Sequence, residues 1–163
     1  MTRVGLGIDV GGSGVKGALV DLDAGAFIGE RVRIETPKPS TPEAVAETAR
    51  KVAEQLGAPS DIPTGVAMPA PMRHNVISFM ANLDQSWVNV NAKELYDEHM
   101  GRDVAMINDA DAAGVAEDSF GAAKDEDGLV IVTTLGTGIG SALIYNGVLI
   151  PNSELGHLEL NGH

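Results

Sequence analysis

The chain has 163 residues, 44% of them hydrophobic and 21% charged, with a formal net charge of −12 and no cysteine. That suits a globular chain of one ordinary domain, or one and part of a second. It excludes disulfides and thiolate metal sites, offers no basic stripe for nucleic acid, and holds no run of ~18 apolar residues to cross a bilayer.

The opening MTRVGLGIDV runs straight into a strand without the pattern of a secretory signal, so a cytoplasmic protein is expected. Strands are predicted at Val4–Val10, Val15–Leu22 and Phe27–Ile34, the last two joined by a turn at Asp23-Ala24-Gly25. Between the first two lie Gly11, Gly12, Ser13 and Gly14, with Asp9 before them and Lys16 after. Glycine reaches φ > 0 and lets backbone N–H groups converge on an anion. Ser13 adds a hydroxyl and Lys16 an ammonium within reach of a phosphate oxygen. A glycine turn between two strands is equally a plain hairpin. The carboxylate of Asp9 would repel phosphate unless a cation stood between them, so Mg²⁺ is implied if the turn binds phosphate; turn chemistry is its other role. The acidic field of the chain opposes a polyanion, which leaves Lys16, Arg31, Arg33 and Arg73 to supply local positive charge.

A helix should begin with Thr41 as N-cap and Pro42 in its first turn, carry Val45, Ala49, Val52 and Leu56 on one face, and stop at Gly57. A buried strand, Thr64–Met68, follows and ends in a Pro-rich turn. The stretch Pro69–Asn91 reads as irregular and suits a substrate loop. Within it, Asn82 is a polar candidate and Trp87 offers an apolar face to a sugar ring. A helix near Ala92–Met100, a strand at Asp103–Ile107 and a small-residue helix over about Ala110–Asp118 come next. Asp109 lies where that strand meets the helix. A carboxylate there can take a proton from a substrate hydroxyl, but spacing alone favours a helix cap, with Asp111 as the other cap candidate.

The acidic, glycine-bearing segment Gly121–Gly128 reads as a boundary, giving one lobe at 1–121 and a second at 122–163. After it come strands at Leu129–Thr134, Ile139–Tyr145 and Val148–Ile150. Here the opening pattern recurs: Gly12 matches Gly136, Ser13 matches Thr137, Gly14 matches Gly138, and Ala18-Leu19 match Ala142-Leu143. Two such turns can grip a phosphate chain from both sides, which points to a phosphotransferase. P-loop and dinucleotide fingerprints fail on spacing, and each turn leads into a strand instead of a helix. Glu154 and His157, in SELGH, can hydrogen-bond a polyol, although alone they read as loop residues. The expected architecture is an α/β lobe with a mixed sheet, followed by the start of a second copy. That second lobe is too small to bury a core unaided, so a fragment, or completion by another chain, is expected.

The segments GIDVGGSGVKGALVDLD, IETPKPSTPEAV, ANLDQSW, INDADAAGVAE, LGTGIGSALI and ELGH together resemble the ROK-type sugar kinases, and more narrowly their polyphosphate glucokinase branch. The resemblance implies a duplicated actin/hexokinase-like (ribonuclease H-like) α/β fold, with a complete N-terminal lobe and the first strands of the C-terminal one. It implies phosphoryl transfer from polyphosphate, or from ATP, to the 6-hydroxyl of glucose. By this resemblance Asp9, Gly11, Gly12, Ser13 and Lys16 form the first phosphate loop, and Gly136, Thr137 and Gly138 the second. Asp109 is the catalytic base, and Asn82, Asn108, Asp109, Glu154 and His157 hold the sugar. Mg²⁺ is expected at Asp9, directly or indirectly, and a homodimer at full length. Many relatives follow the matching histidine with a Cys-rich zinc motif; here Leu158-Glu159-Leu160 follow His157, so no zinc site is expected. Ala70 stands where the family usually has a glycine. The alternatives are an ATP-dependent ROK kinase for another hexose and a truncated, non-catalytic sugar-binding fragment.

Overall fold

A computed structural model describes residues 2–136 and 138–158 of the chain. Apolar alternation at the N-terminus builds an antiparallel meander of β1 (Val4–Val10), β2 (Val15–Asp21) and β3 (Ala26–Ile34). Leu6, Ile8 and Val10 share one face, as the period of two requires, and all are buried. Asp9 and Lys16, paired across β1 and β2, take the opposite face. Helix α1 (Pro42–Gln55) lies on the apolar face through Val45, Ala46, Ala49, Val52 and Ala53. Its approach is close: a Cβ on Gly17 of β2 would stand 2.5 Å from Cγ1 of Val52. Thr41 caps α1 by accepting from the Ala44 amide, and Gly57, at φ +60°, lets the chain turn away.

Strand β4 (Thr64–Met68) then pairs in parallel with β1. A small hairpin follows, β5 (Met72–Arg73) and β6 (Val76–Ile77), whose turn residues His74 and Asn75 sit at φ 51° and 65°. After a 3-10 turn at Gln85–Trp87 come α2 (Ala92–Met100) and β7 (Val104–Asn108), completing a sheet of order β3-β2-β1-β4-β7. Helix α3 (Asp109–Phe120) leads to β8 (Leu129–Leu135), β9 (Ile139–Tyr145) and β10 (Val148–Ile150), a second sheet of order β10-β9-β8. Among the described residues no helix is long and apolar enough to cross a membrane.

Three features differ from the sequence reading. The chain divides into compact units between Ile107 and Asn108, ahead of the expected break at 121/122. Helix α3 groups with the second sheet because its small residues let it sit directly on β9: a Cβ on Gly114 would lie 2.5 Å from that of Ala142. The stretch Pro69–Asn91, expected to be irregular, holds the β5–β6 hairpin and the 3-10 turn, and Ile77, Met80, Leu83 and Trp87 are buried in the first core. Trp87 is therefore no platform for a sugar. Its ring is fully buried and stacked on Tyr96 at 6.3 Å between centroids, and its indole N–H donates to the Ser40 carbonyl at 3.0 Å.

Candidate active site

The first glycine turn closes with the Gly11 amide donating to the Gly14 carbonyl at 3.0 Å. None of Gly11, Gly12 and Gly14 adopts a positive φ, so the expectation of left-handed glycines is corrected. The requirement is space. A Cβ on Gly12 would stand 3.1 Å from the Asn82 carbonyl oxygen, and one on Gly14 would stand 2.7 Å from Nε of Arg33. The backbone of Asn82, an exposed residue ahead of the 3-10 turn, thus lies against the first glycine turn.

Two side chains at the end of β3 hold the carbonyls of this turn. Thr36 donates its hydroxyl to the Gly11 carbonyl, and Arg33 Nη2 donates to the Ser13 carbonyl at 2.7 Å. In a trans peptide the next N–H points opposite to the carbonyl. The amides of Gly12 and Gly14 are therefore turned away from Thr36 and Arg33. Asp9, Lys16 and Arg33 stand in register across β1, β2 and β3. Lys16 Nζ donates to Asp9 Oδ2 at 3.1 Å, and both side chains are about half exposed. Sequence reasoning had Arg33 only as one cation among several and did not single out Thr36. The signal was available in their positions, Arg33 inside β3 opposite Lys16 and Thr36 just past the end of that strand.

In the second unit the Gly136 amide donates to the Gly138 carbonyl at 3.0 Å. Leu135 pairs with Ile139 here, whereas Val10 pairs with Val15 in the first hairpin, so the second turn is one residue shorter. A Cβ on Gly136 or Gly138 would meet nothing within 4 Å among the described residues. Thr137 lies outside the described residues. The second copy has Thr133 and Gly140 in the places of Asp9 and Lys16, so it lacks that charged pair.

Asn108 settles the cap of α3. Its Oδ1 accepts from the amides of Ala110 and Asp111 at 2.9 and 3.1 Å, and its Nδ2 donates to Glu154 Oε1 at 3.3 Å. Asp109 is consequently the first helical residue, exposed, with Oδ1 accepting from the Ala110 amide at 2.8 Å. Asp111 is not the cap either. It is buried, and its Oδ2 accepts from the Asn152 amide at 2.8 Å; burial raises its pKa, against the lowering effect of that amide. Ser141 of β9 fastens the loop that carries Glu154, donating to the Ser153 carbonyl and accepting from the Leu155 amide at 2.9 Å. The backbone of His157 ends a 3-10 turn at Leu155–His157; its side chain lies outside the described residues.

The structure thus gathers Asp9, Lys16, the first turn and Asn82 in one unit, and Asn108, Asp109 and Glu154 in the other. Among the described residues no cluster of three or more metal-ligating side chains occurs. Asp9 presents one half-exposed carboxylate with Oδ2 bonded to Lys16. A single carboxylate fits Mg²⁺, which keeps several waters and takes substrate phosphates as further ligands.

A model of the ROK family matches residues 5–163. The chain belongs to the ROK family. It is 51% identical to the polyphosphate glucokinase of Mycobacterium tuberculosis over 161 residues, which is 98% of this chain and 60% of that protein. The polyphosphate glucokinase of Mycobacterium leprae is 48% identical over 97% of this chain and 48% of its own length. The chain therefore spans less than two thirds of these ROK relatives. Among solved structures, the inorganic polyphosphate/ATP-glucomannokinase of Arthrobacter sp. strain KM superposes with a TM-score of 0.91 at 48% identity, covering 99% of this chain and 66% of that one. A ROK glucokinase from Streptomyces griseus, in complex with glucose and AMPPNP, gives 0.81 at 27% identity over 96% of this chain and 51% of that one. The expected mixed α/β, hexokinase-like fold is borne out by these sugar-kinase neighbours.

Proposed function

We propose that the complete protein transfers a phosphoryl group from inorganic polyphosphate, or from ATP, to the 6-hydroxyl of glucose in the cytoplasm. The observation that carries this reading is 51% identity to a polyphosphate glucokinase across 98% of the chain, and it is supported by Arg33 and Thr36 holding two carbonyls of the first glycine turn. The sugar oxygen attacks the terminal phosphorus, the bond from that phosphorus to the bridging oxygen of the donor breaks, and the hydroxyl proton passes to Asp109. Such a transfer runs through a loose transition state, so positioning and charge compensation supply most of the rate.

Gly11, Gly12, Ser13 and Lys16, with Gly136, Thr137 and Gly138, bind the donor. Asn82, Asn108, Glu154 and His157 bind the sugar hydroxyls and discriminate by hydrogen-bond pairing. The bonds from Asn108 to the first α3 amides and to Glu154 support this, because they tie the Asp109 position to a second polar side chain. Mg²⁺, when bound at Asp9, supplies charge neutralisation to the donor phosphates.

The test is a glucose-6-phosphate-coupled assay of the complete protein with each donor in turn. Asp109→Asn should lower kcat by about a hundredfold or more, the usual size of a general-base contribution, with little change in the KM for glucose. Near-wild-type turnover in that variant would remove Asp109 from the mechanism. Activity with ATP and none with polyphosphate would move the protein to the ATP-dependent kinases of the family.

A further inference from the structure

We propose that Arg33 is a positioning residue for the donor phosphate: it holds the first glycine turn from the β3 side so that the Gly12 and Gly14 amides face the anion. The inference rests on the kinase reading above. Arg33 comes from the strand next to Lys16, directly opposite it in register. Its Nη2 donates to the Ser13 carbonyl at 2.7 Å. Its guanidinium also lies on the Gly14 backbone, where a Cβ would stand 2.7 Å from Nε and 2.9 Å from both Cζ and Nη2. Among the described residues no carboxylate lies within ion-pair distance of Arg33; the cation is used on a carbonyl instead.

The chemistry follows from the turn's composition. Glycine on both sides of Ser13 leaves its peptide planes loosely held, because no side chain restricts their rotation. A flipped plane would aim a carbonyl, with its negative partial charge, at a phosphate. A charged donor on the Ser13 carbonyl, with Thr36 on the Gly11 carbonyl, fixes two planes before the ligand arrives. Donors held in this way need no reorganisation when the phosphate binds, and the guanidinium adds a positive charge to an acidic protein. Lysine does not serve as well. Its ammonium is a point charge on a flexible stem and cannot lie flat on Gly14 as the planar guanidinium does.

The experiment is steady-state kinetics on the complete protein with polyphosphate and glucose varied independently. Arg33→Ala should lower kcat/KM for polyphosphate about tenfold, the size of one charge-assisted hydrogen bond, while the KM for glucose stays within about twofold. Arg33→Lys should stay within about threefold of Arg33→Ala, since charge alone does not restore the plane. Gly14→Ala should weaken the donor step in the parent but add less than about twofold to Arg33→Ala, because the two changes remove one contact. An Arg33→Ala protein within twofold of the parent, full rescue by lysine, or independent effects of the two sites would each overturn the inference. Arg33→Met, which keeps an aliphatic cover over Gly14, is the second variant should Arg33→Ala fail to fold. Unfolding of both would make Arg33 a fold residue and end the positioning role. A parent protein that moved no phosphate to glucose would instead strike the kinase reading itself.

Discussion

The placement of α3 on the second sheet can be tested with one methyl group. Gly114 lies mid-helix, and a Cβ there would stand 2.5 Å from the Cβ of Ala142, which is fixed to β9 and cannot swing aside. Replacing glycine with alanine inside a free helix is worth about 1 kcal/mol of stability. Forcing a methyl into a packed contact costs about 1–3 kcal/mol, so Gly114→Ala should be a net loss of up to about 2 kcal/mol. Ala142→Gly should also be a loss, of about 1.5 kcal/mol, from one buried methyl and a glycine in a strand. The double variant keeps one methyl and moves it from strand to helix. It should return to within about 0.5 kcal/mol of the parent, a clear departure from additivity. The assay is hydrogen exchange of the α3 amides, supported by urea unfolding of all four proteins. Stabilisation by Gly114→Ala alone, or simple addition of the two single effects, would mean that α3 does not pack on β9.

Three further outcomes follow from the same packing. Trp87→Ala should cost about 3–5 kcal/mol, and Trp87→Phe less, with the Ser40 carbonyl left unpaired; the KM for glucose should hardly move in the phenylalanine variant, since the ring is buried away from solvent. Burial holds the Asp111 pKa above the usual carboxylate range, so its protonated form favours the fold. The contribution is present below the unfolded pKa of about 4 and is lost as pH rises through the raised folded value. Urea midpoints of Asp111→Asn relative to the parent should therefore improve as pH rises from about 4, and parallel curves would refute the burial argument. Leu129, Ile131, Leu135 and Ile139 are each more than half exposed on the second sheet. A protein of these 163 residues alone should bind an apolar dye and self-associate, and Ile131→Lys should reduce both; a monomer that ignores the dye would contradict the exposed face.

The elements that local chemistry defines were legible in the sequence. Thr41, Pro42 and Gly57 mark the ends of α1 as cap, first-turn residue and stop, and the buried strand expected at Thr64–Met68 is β4 with the same limits. What failed depends on contacts distant in sequence. Ser40 and Tyr96 are what make Trp87 a core residue, and neither is its neighbour along the chain. Likewise, Ala142 decides which sheet receives the small residues of α3. The cap of α3, expected at Asp109 or Asp111, is Asn108; a single residue of helix phase is finer than spacing resolves, and only the bonds to Ala110 and Asp111 decide it. The glycines of the first turn stand out in the sequence, but the left-handed backbone expected of them is not what this turn uses. Their lack of a Cβ admits the Asn82 backbone and the Arg33 guanidinium, a demand that no local conformation announces.

The two copies of the hairpin differ in how their turns are held. In the first, β3 pairs with β2 as far as Val15, right beside the turn, so side chains at its end can reach the turn's carbonyls. In the second, β10 pairs only with Leu143, Ile144 and Tyr145 and stops short of Ile139. No third strand there runs to the turn among the described residues. The polar anchor at Ser141 is spent instead on the loop that carries Glu154. The length of the third strand therefore separates a braced turn with the Asp9–Lys16 pair from an open one with threonine and glycine in those places. A braced turn suits an anion that must be held in one orientation, because its donors are set in advance. An open turn suits a chain of repeating phosphates, whose identical groups can be gripped at any point along their length. If both turns serve one donor, truncating the first turn's braces should weaken every donor alike. Changes at Gly136 and Gly138 should instead alter the preference between polyphosphate and ATP. Equal effects of both kinds of change on both donors would show that the hairpins had diverged in shape without dividing the task.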